Sequence, residues 1–161
     1  MIRSGIGYDI HRFAEGIKLV LGGVEIEHAR GLEGHSDADV LSHAIADALL
    51  GAIGAGDIGQ HFPNTDESIR GISSMEILKR VAILLTQRNA RVVNVDATVI
   101  AEAPKLTPHA PAMRQNIAAA IGINDSDISV KATTNEKLGS IGQGEGIAAI
   151  AIATIEMEPK N

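Results

Sequence analysis

Apolar and polar positions alternate at the start of the chain. Residues 2–11 (IRSGIGYDIH) predict an extended strand with Tyr8 and Ile10 on one face and Asp9 and His11 on the other. KLVLGGVEIE sets two short extended runs around Gly22-Gly23, a hairpin signal because both turn positions tolerate positive φ. After the polar stretch GLEGHSDAD the spacing becomes helical, with Val40, Leu41, Ala44, Ile45, Ala48, Leu49 and Ala52 forming a broad apolar stripe. Ser36 with Asp39 predicts a variant capping box at the start of this helix. Asp39, His43 and Asp47 are expected together on its polar side.

GAIGAGDIGQHFPNTDES has no periodicity, as functional or mobile loops of this length do not. Ser73 with Glu76 predicts a second helix running to about Arg88. RVVNVDATVIAE alternates as a strand, with Val93, Val95, Ala97 and Val99 on one face and Asn94, Asp96 and Thr98 on the other. Thr107 and Pro108 predict the N-cap and first turn of a third helix that Gly122 ends. ISVKATT reads as a strand, NEKLGSIGQGEG as a loop, and 147–157 as the last strand. This order predicts one domain over 1–161 of the α/β class, an α+β sandwich. A mainly four-stranded sheet carries helices on one face, with a small hairpin beside it. The last strand, GIAAIAIATIEM, is apolar on both faces. With helices over one of them, a symmetric oligomer that packs sheets together is expected to cover the other.

Composition narrows the function. A formal net charge of −6 argues against a polyanion-binding surface, and 2% aromatic residues leave few platforms for stacking bases, so no nucleic-acid partner is expected. With no cysteine, any zinc must rest on histidines and carboxylates, and a reducing cytoplasm is compatible. The N-terminus lacks the apolar run of a signal peptide, and IAAIAIATI is too short to span a bilayer. No membrane partner is expected, and the location is expected to be cytoplasmic.

Five clusters have candidate chemistry. Asp9, His11 and His43 make two imidazoles and a carboxylate with a fourth position open, the donor set of a catalytic zinc; hydrogen-bonded pairs are the plainer alternative. His35 and Ser36 stand where helix N–H groups favour a phosphate, or serve an ordinary cap. Asp57, Gly59, Asn64, Thr65 and Asp66 allow a ligand to approach the backbone closely, or simply build turns. Lys131, Thr133, Thr134, Glu136 and Lys137 suit phosphate oxygens and a hard divalent ion, or form a polar loop. IAEAPKLTPH, with Lys105, is either a cradle for a base or phosphate or a connection. His28, His61 and His109 are expected to be surface residues. Asp96 either orients a neighbour or is satisfied by backbone.

GYDIHRF, GHSDADVLSHAIADALLGA, GDIGQHFPNTD, NVDATVIAEAPKL and VKATTNEKLGSIGQGEGIA resemble, in order, the motifs of the 2-C-methyl-D-erythritol 2,4-cyclodiphosphate synthase family, from residue 5 to about 150. The resemblance implies conversion of 4-(cytidine-5′-diphospho)-2-C-methyl-D-erythritol 2-phosphate to the cyclic diphosphate and CMP, in the non-mevalonate route to isoprenoid precursors. It also implies a homotrimer with active sites between subunits. Asp9, His11 and His43 would hold zinc, and Glu136 would help hold a second divalent ion, Mg2+ or Mn2+. His35 and Thr134 would stabilise the transition state. Asp57 and Gly59 would contact the methylerythritol, and His35 and Ser36 its phosphate, with Phe62 and Asp66 also in the substrate site. Ala101, Pro104, Lys105, Leu106 and Thr107, with Thr133, Thr134 and Glu136, would enclose the cytidine and its diphosphate. Many members have an aromatic residue at the position of Ser140 and an arginine at that of Gln143. There they line a central cavity that can hold an isoprenoid diphosphate, and this chain lacks both groups. The metal donors alone also fit a zinc-dependent phosphohydrolase, which would release a linear phosphate carrying solvent oxygen, or a trimeric metal- or nucleotide-binding protein without turnover.

Overall fold

The alternating N-terminal run extends into a 14-residue strand, β1 (Ile2–Glu15), in a computed structural model that describes residues 1–157. The hairpin follows as β2 (Leu19–Leu21) and β3 (Val24–Ile26), turning at Gly22 and Gly23, whose φ values are +56° and +68°. β4 (Arg30–Leu32) returns against the end of β1. Then come α1 (Val40–Ala52), the short α2 (Ile58–His61) and α3 (Ser74–Gln87). The chain continues through β5 (Ala90–Ile100), α4 (Ala110–Ile121), β6 (Ile128–Thr133), α5 (Gly139–Gly142) and β7 (Gly146–Met157). The main sheet has five strands in the order β4-β1-β7-β5-β6, the short β4 adding an edge to the four expected. Only β5 and β6 run parallel, joined by the α4 crossover. Among the described residues no helix is long and apolar enough to cross a membrane.

Helices cover one sheet face. Ile147, Ala149, Ala151, Ala153 and Ile155 of β7 and Val95, Ala97 and Val99 of β5 are buried in a continuous core with α1, α3 and α4. The closest approach is that of α1 to β1. A Cβ built on Gly7 would lie 1.9 Å from the Ala44 carbonyl oxygen, and one on Gly5 would lie 2.1 Å from that of Ala48. Helix backbone therefore rests on strand backbone, which only residues without side chains permit. The opposite sheet face carries exposed Ile6, Tyr8, Ile10, Ile150 and Ile152. Their neighbours on β5 are polar, namely Asn94, Asp96 and Thr98. The apolar character thus belongs to β1 and β7.

Besides the short α2 and α5, which form inside runs expected as loops, four local expectations differ from the structure. Asp39 is fully buried, not on a polar helix face. As the N-cap of α1 it accepts hydrogen bonds from Ser42 N (3.1 Å), Ser42 Oγ (2.8 Å), Gly22 N (2.9 Å) and Gly23 N (2.8 Å). The hairpin turn docks on the helix start and supplies two of the donors, so Ser36 is not the cap. Burial pushes the Asp39 carboxyl up, opposed by those hydrogen bonds. Val93 is exposed because a register shift between Val92 and Asn94 inserts one residue and turns it out of the core face. Thr107 lies in a 3-10 turn, Thr107–His109, and makes no side-chain cap, whereas Gly122 ends α4 in the left-handed conformation as predicted. Ser73 caps α3 through Met75 N, but Glu76 pairs with Arg80 (3.0 Å).

Gly7→Ala is expected to cost about 3 kcal/mol or more, as overpacking against rigid backbone does. Urea unfolding followed by circular dichroism measures it, and a stability equal to the parent's would contradict the packing described.

Candidate functional site

The odd-numbered face of β1 runs Gly5, Gly7, Asp9, His11. Where the glycines end, α1 begins, and its first turn carries His43. Asp9 Oδ2 lies 3.0 Å from His11 Nε2 and 3.1 Å from His43 Nδ1. One donor atom from each residue falls within 4.8 Å of the other two, and the imidazole centroids are 5.5 Å apart. The three residues predicted as metal ligands converge.

Both rings are oriented from behind. His11 Nδ1–H donates to the Glu33 carbonyl at 2.6 Å, which directs Nε2 inward. His43 Nε2 faces Ser74 Oγ at 2.9 Å and Ser36 Oγ at 3.1 Å, which directs Nδ1 inward. Two nitrogens and one carboxylate oxygen on a divalent ion, with outer partners holding each ring, is the arrangement that zinc-type sites use. The three donors fit a divalent ion.

The cation-free electrostatics fit the same picture. Burial opposes charge on Asp9, but hydrogen bonds and charge from His11 and His43 outweigh it and hold the carboxyl far below its ordinary value of 3.8. For His11, burial works against the proton, yet Asp9 and the Glu33 carbonyl raise its affinity above the ordinary 6.5. Facing an acceptor on each nitrogen, His11 favours its doubly protonated form, and metal uptake requires release of the Nε2 proton.

Other predicted residues gather around this cluster. His35, Ser36, Gly59 and Phe62 line the same cleft of roughly 190 Å³, with Asn64 and the apolar Ile58, Ile69, Ile72 and Ile77. His35 Nε2–H donates to the Asp66 carbonyl (3.3 Å), linking the helix entry to the 57–66 loop. Asp57 caps α2 and accepts from Gln60 N (3.0 Å) and Gln60 Nε2 (2.9 Å). Asp47 holds the loop from below by accepting from Ile58 N at 2.7 Å. The Asp66 carboxylate caps a short turn through Ser68 N (2.9 Å).

The remaining residues lie elsewhere. The pairing rows run Asp9–Ala149–Val99–Ala132, so the Thr133–Glu136 segment is three strands from the metal cluster, about 14 Å at ordinary strand spacing. Thr134 Oγ1 and Glu136 Oε1 are 3.4 Å apart there, and Glu102 accepts from Asn135 N at 2.8 Å. Leu106 and Thr107 line a second cleft with Lys131 beneath the 101–107 connection, which contains a cis Ala103-Pro104 bond. Ala101 and Leu106 are buried, so they can meet a ligand mainly through backbone, while Lys105 is exposed. Lys131 is not a free cation: it pairs with Asp96, which answers what that strand carboxylate does. Two of the histidines expected at the surface have partners, the half-buried His28 and the exposed His61. His28 stacks on Phe13 (5.2 Å) and meets the Arg30 carbonyl (2.8 Å), and His61 meets the Ala55 carbonyl (2.8 Å). Ser74, Asp37 and the glycine pair were missed as site builders. Isolated glycines in a strand pattern were the available signal for the last.

The YgbB family model matches residues 2–156. The chain belongs to this family. Among YgbB relatives, the 2-C-methyl-D-erythritol 2,4-cyclodiphosphate synthase of Chlorobium phaeobacteroides is 56% identical over 98% of this chain and 100% of its own length. That of Chlorobium luteolum is 59% identical over 96% and 99%. A solved Plasmodium falciparum structure described as IspF in complex with CDP superposes with a TM-score of 0.84 at 39% identity, covering 99% of this chain and 97% of that one. The five-stranded sheet with its covering helices is therefore the YgbB fold.

The pH response of the metal cluster has a definite sign. In chelator-treated protein, the stability that His11 gains from Asp9 is fully present below pH 6.5 and is lost as pH rises through its raised folded value. That of Asp9 is present above 3.8 and is lost as pH falls through its lowered one. Metal uptake runs against the first trend, because the His11 proton must leave. The thermal stabilisation produced by added Zn2+ is expected to grow as pH rises above 6.5; an increment independent of pH would contradict the proton competition.

Proposed function

We infer that this chain is a 2-C-methyl-D-erythritol 2,4-cyclodiphosphate synthase, which closes 4-(cytidine-5′-diphospho)-2-C-methyl-D-erythritol 2-phosphate on itself and releases CMP. The convergence of Asp9, His11 and His43 at the mouth of a cleft shared with His35 and Ser36 carries this reading. Full-length relatives of that name at 56% and 59% identity support it.

An oxygen of the 2-phosphate forms a bond to the β-phosphorus, and the bond from that phosphorus to the oxygen shared with the α-phosphate breaks. The products are the cyclic diphosphate and CMP, and the enzyme class is phosphorus–oxygen lyase. The nucleophile is already ionised, so no general base is required. Asp9, His11 and His43 would hold a divalent ion, zinc by their donor chemistry. When bound, such an ion supplies Lewis acidity to a phosphate oxygen. His35 and the Ser36 hydroxyl donate to the 2-phosphate, and His35 and Thr134 donate to charge that grows in the transition state. Each such donor is worth about 2–4 kcal/mol by analogy with oxyanion holes. Asp57 and Gly59, with Phe62 and Asp66 beside them, hold the methylerythritol. The backbone of Ala101 to Thr107 and the Thr133 to Glu136 segment hold the cytidine and its diphosphate, with Glu136 toward a second ion of the Mg2+ or Mn2+ type. Folding the substrate between these walls gives the internal phosphate its advantage over water.

The two halves of this site stand about 14 Å apart across one sheet, counted in strand spacings. A second copy that brings its own Thr133–Glu136 segment to the Asp9 cluster resolves the separation. The exposed apolar face of β1 and β7 offers a surface for such association, and this reading has a homotrimer with sites between subunits. The CDP in the Plasmodium falciparum complex supports the nucleotide half. A cytoplasmic setting, compatible with the cysteine-free sequence, belongs to the same reading.

Phosphorus NMR of that substrate with protein and divalent metal is expected to show the cyclic diphosphate and CMP. A linear phosphate carrying label from 18O-water would establish a hydrolase instead. His43→Ala is expected to abolish cyclisation while the protein remains folded by circular dichroism. Full activity of the metal-depleted variant would refute the role of the triad. Ile152→Lys, on the exposed face, is expected to give monomers in sedimentation and to lose at least about tenfold in activity with them, since charge at an apolar interface core disfavours association. Persistence of a trimer would reject that face as the interface.

A further inference from the structure

The hydrogen bonds behind His43 form a directed chain. Ser74 is the first residue of α3 and is fully buried. Its Oγ lies 2.9 Å from His43 Nε2 and makes a short hydrogen bond to Asp37 Oδ1. The other oxygen, Asp37 Oδ2, accepts from Ser74 N at 2.8 Å. A hydroxyl has one proton, and an ionised carboxylate can only accept, so the Ser74 proton points to Asp37. The Ser74 oxygen must then accept from His43 Nε2–H. Ser36 Oγ, 3.1 Å from the same nitrogen, is not committed in this way: it accepts from Ala38 N at 3.2 Å and keeps its proton free to point at the ring. A serine so placed tolerates either His43 tautomer. Of the two groups that face Nε2, only the Asp37–Ser74 pair selects one, while Asp9 Oδ2 stands 3.1 Å from Nδ1 on the side a cation would occupy.

We propose that Asp37 and Ser74 are positioning residues for the metal centre: Ser74 Oγ accepts a hydrogen bond from His43 Nε2–H and donates its own to Asp37, which leaves Nδ1 to present its lone pair to a cation. This deepens, and rests on, the reading of Asp9, His11 and His43 as a metal triad. It resembles the carboxylate–histidine–metal chains of other sites, with a hydroxyl interposed between carboxylate and ring. The pair also ties two elements together. Asp37 lies in the connection before α1 and its backbone N–H donates to the Ile72 carbonyl (3.2 Å), while Ser74 opens α3. His43 is therefore aimed only when α3 is docked against the 33–39 connection, and the metal centre is completed by an element that contributes no ligand.

The test is zinc affinity of the full chain, measured by competition with a chromophoric chelator for the parent, Ser74→Ala, Asp37→Asn and Ser74→Thr. Alanine and asparagine are expected to weaken zinc binding about 10- to 100-fold, as loss of outer partners does, and threonine, which keeps the hydroxyl, to stay within about threefold of the parent. In zinc-loaded, 15N-histidine-labelled parent protein, two-bond 1H–15N correlation is expected to show His43 protonated at Nε2 and coordinated through Nδ1. Unfolding of the metal-free proteins is followed in parallel. Unchanged zinc affinity in Ser74→Ala overturns the proposal, whatever its stability, and so does coordination through Nε2. A parent that binds no zinc would overturn the triad itself, and is told apart from failure of the pair alone because that failure leaves the parent's affinity intact.

Discussion

The closeness of α1 to β1 is the constraint on which the molecule depends. Because Gly5 and Gly7 present no side chains, the helix settles onto the strand with its carbonyls at Ala44 and Ala48 almost touching the strand backbone. Further along β1 the same face switches to Asp9 and His11, at the level where the helix starts. Side chains that would be crushed two residues earlier have room here, and His43 descends to meet them. A coordination sphere needs its donors held to within about 0.5 Å, and backbone resting on backbone is the stiffest support a fold can offer. Asp39 adds a second fixture: it accepts two hydrogen bonds from the Gly22-Gly23 turn and two from Ser42 of the helix, fastening the helix N-terminus to the turn. The start of α1 cannot drift along the strand without breaking them.

Much of this was legible in one dimension. The alternation of β1, the apolar stripe of α1, the Gly22-Gly23 turn and the Gly122 stop are local patterns, and the local pattern prevails in each. The triad could be assembled on paper because Asp9 and His11 are fixed to one face by strand period, and His43 stands off the apolar stripe of the predicted α1 helix. What escaped depends on partners distant in sequence. Asp39 looked like one more polar residue, since the turn that buries it is 16 and 17 positions away. Val93 fitted its alternation, and one inserted residue in the ladder, which no composition announces, turned it outward. Lys131 looked like a phosphate ligand until its cross-strand neighbour Asp96 was seen to hold it. Ser74 stands beside the predicted helix start Ser73 with no signal of its own, and its tie to Asp37 spans 37 positions.

The chemistry is divided across the sheet in the same way as its polarity. On the uncovered face, β1 and β7 are apolar, while β5 bears Asn94, Asp96 and Thr98 and β6 bears Lys131. Asp9, His11 and His43 stand at the β1 side and the hydroxyl-bearing segment after β6 stands at the other, so the sheet has two chemically different flanks.

In the proposed homotrimer, unlike flanks meet head to tail and the rotation closes a ring with as many junctions as members. Each polypeptide of that proposed ring serves two reaction centres and completes neither alone. Two defective versions, one damaged at its first strand and the other beyond its sixth, are therefore not equivalent. Co-assembled in one ring, they meet at some junctions through their undamaged sides, and a blend of two inert parents recovers turnover that neither possesses.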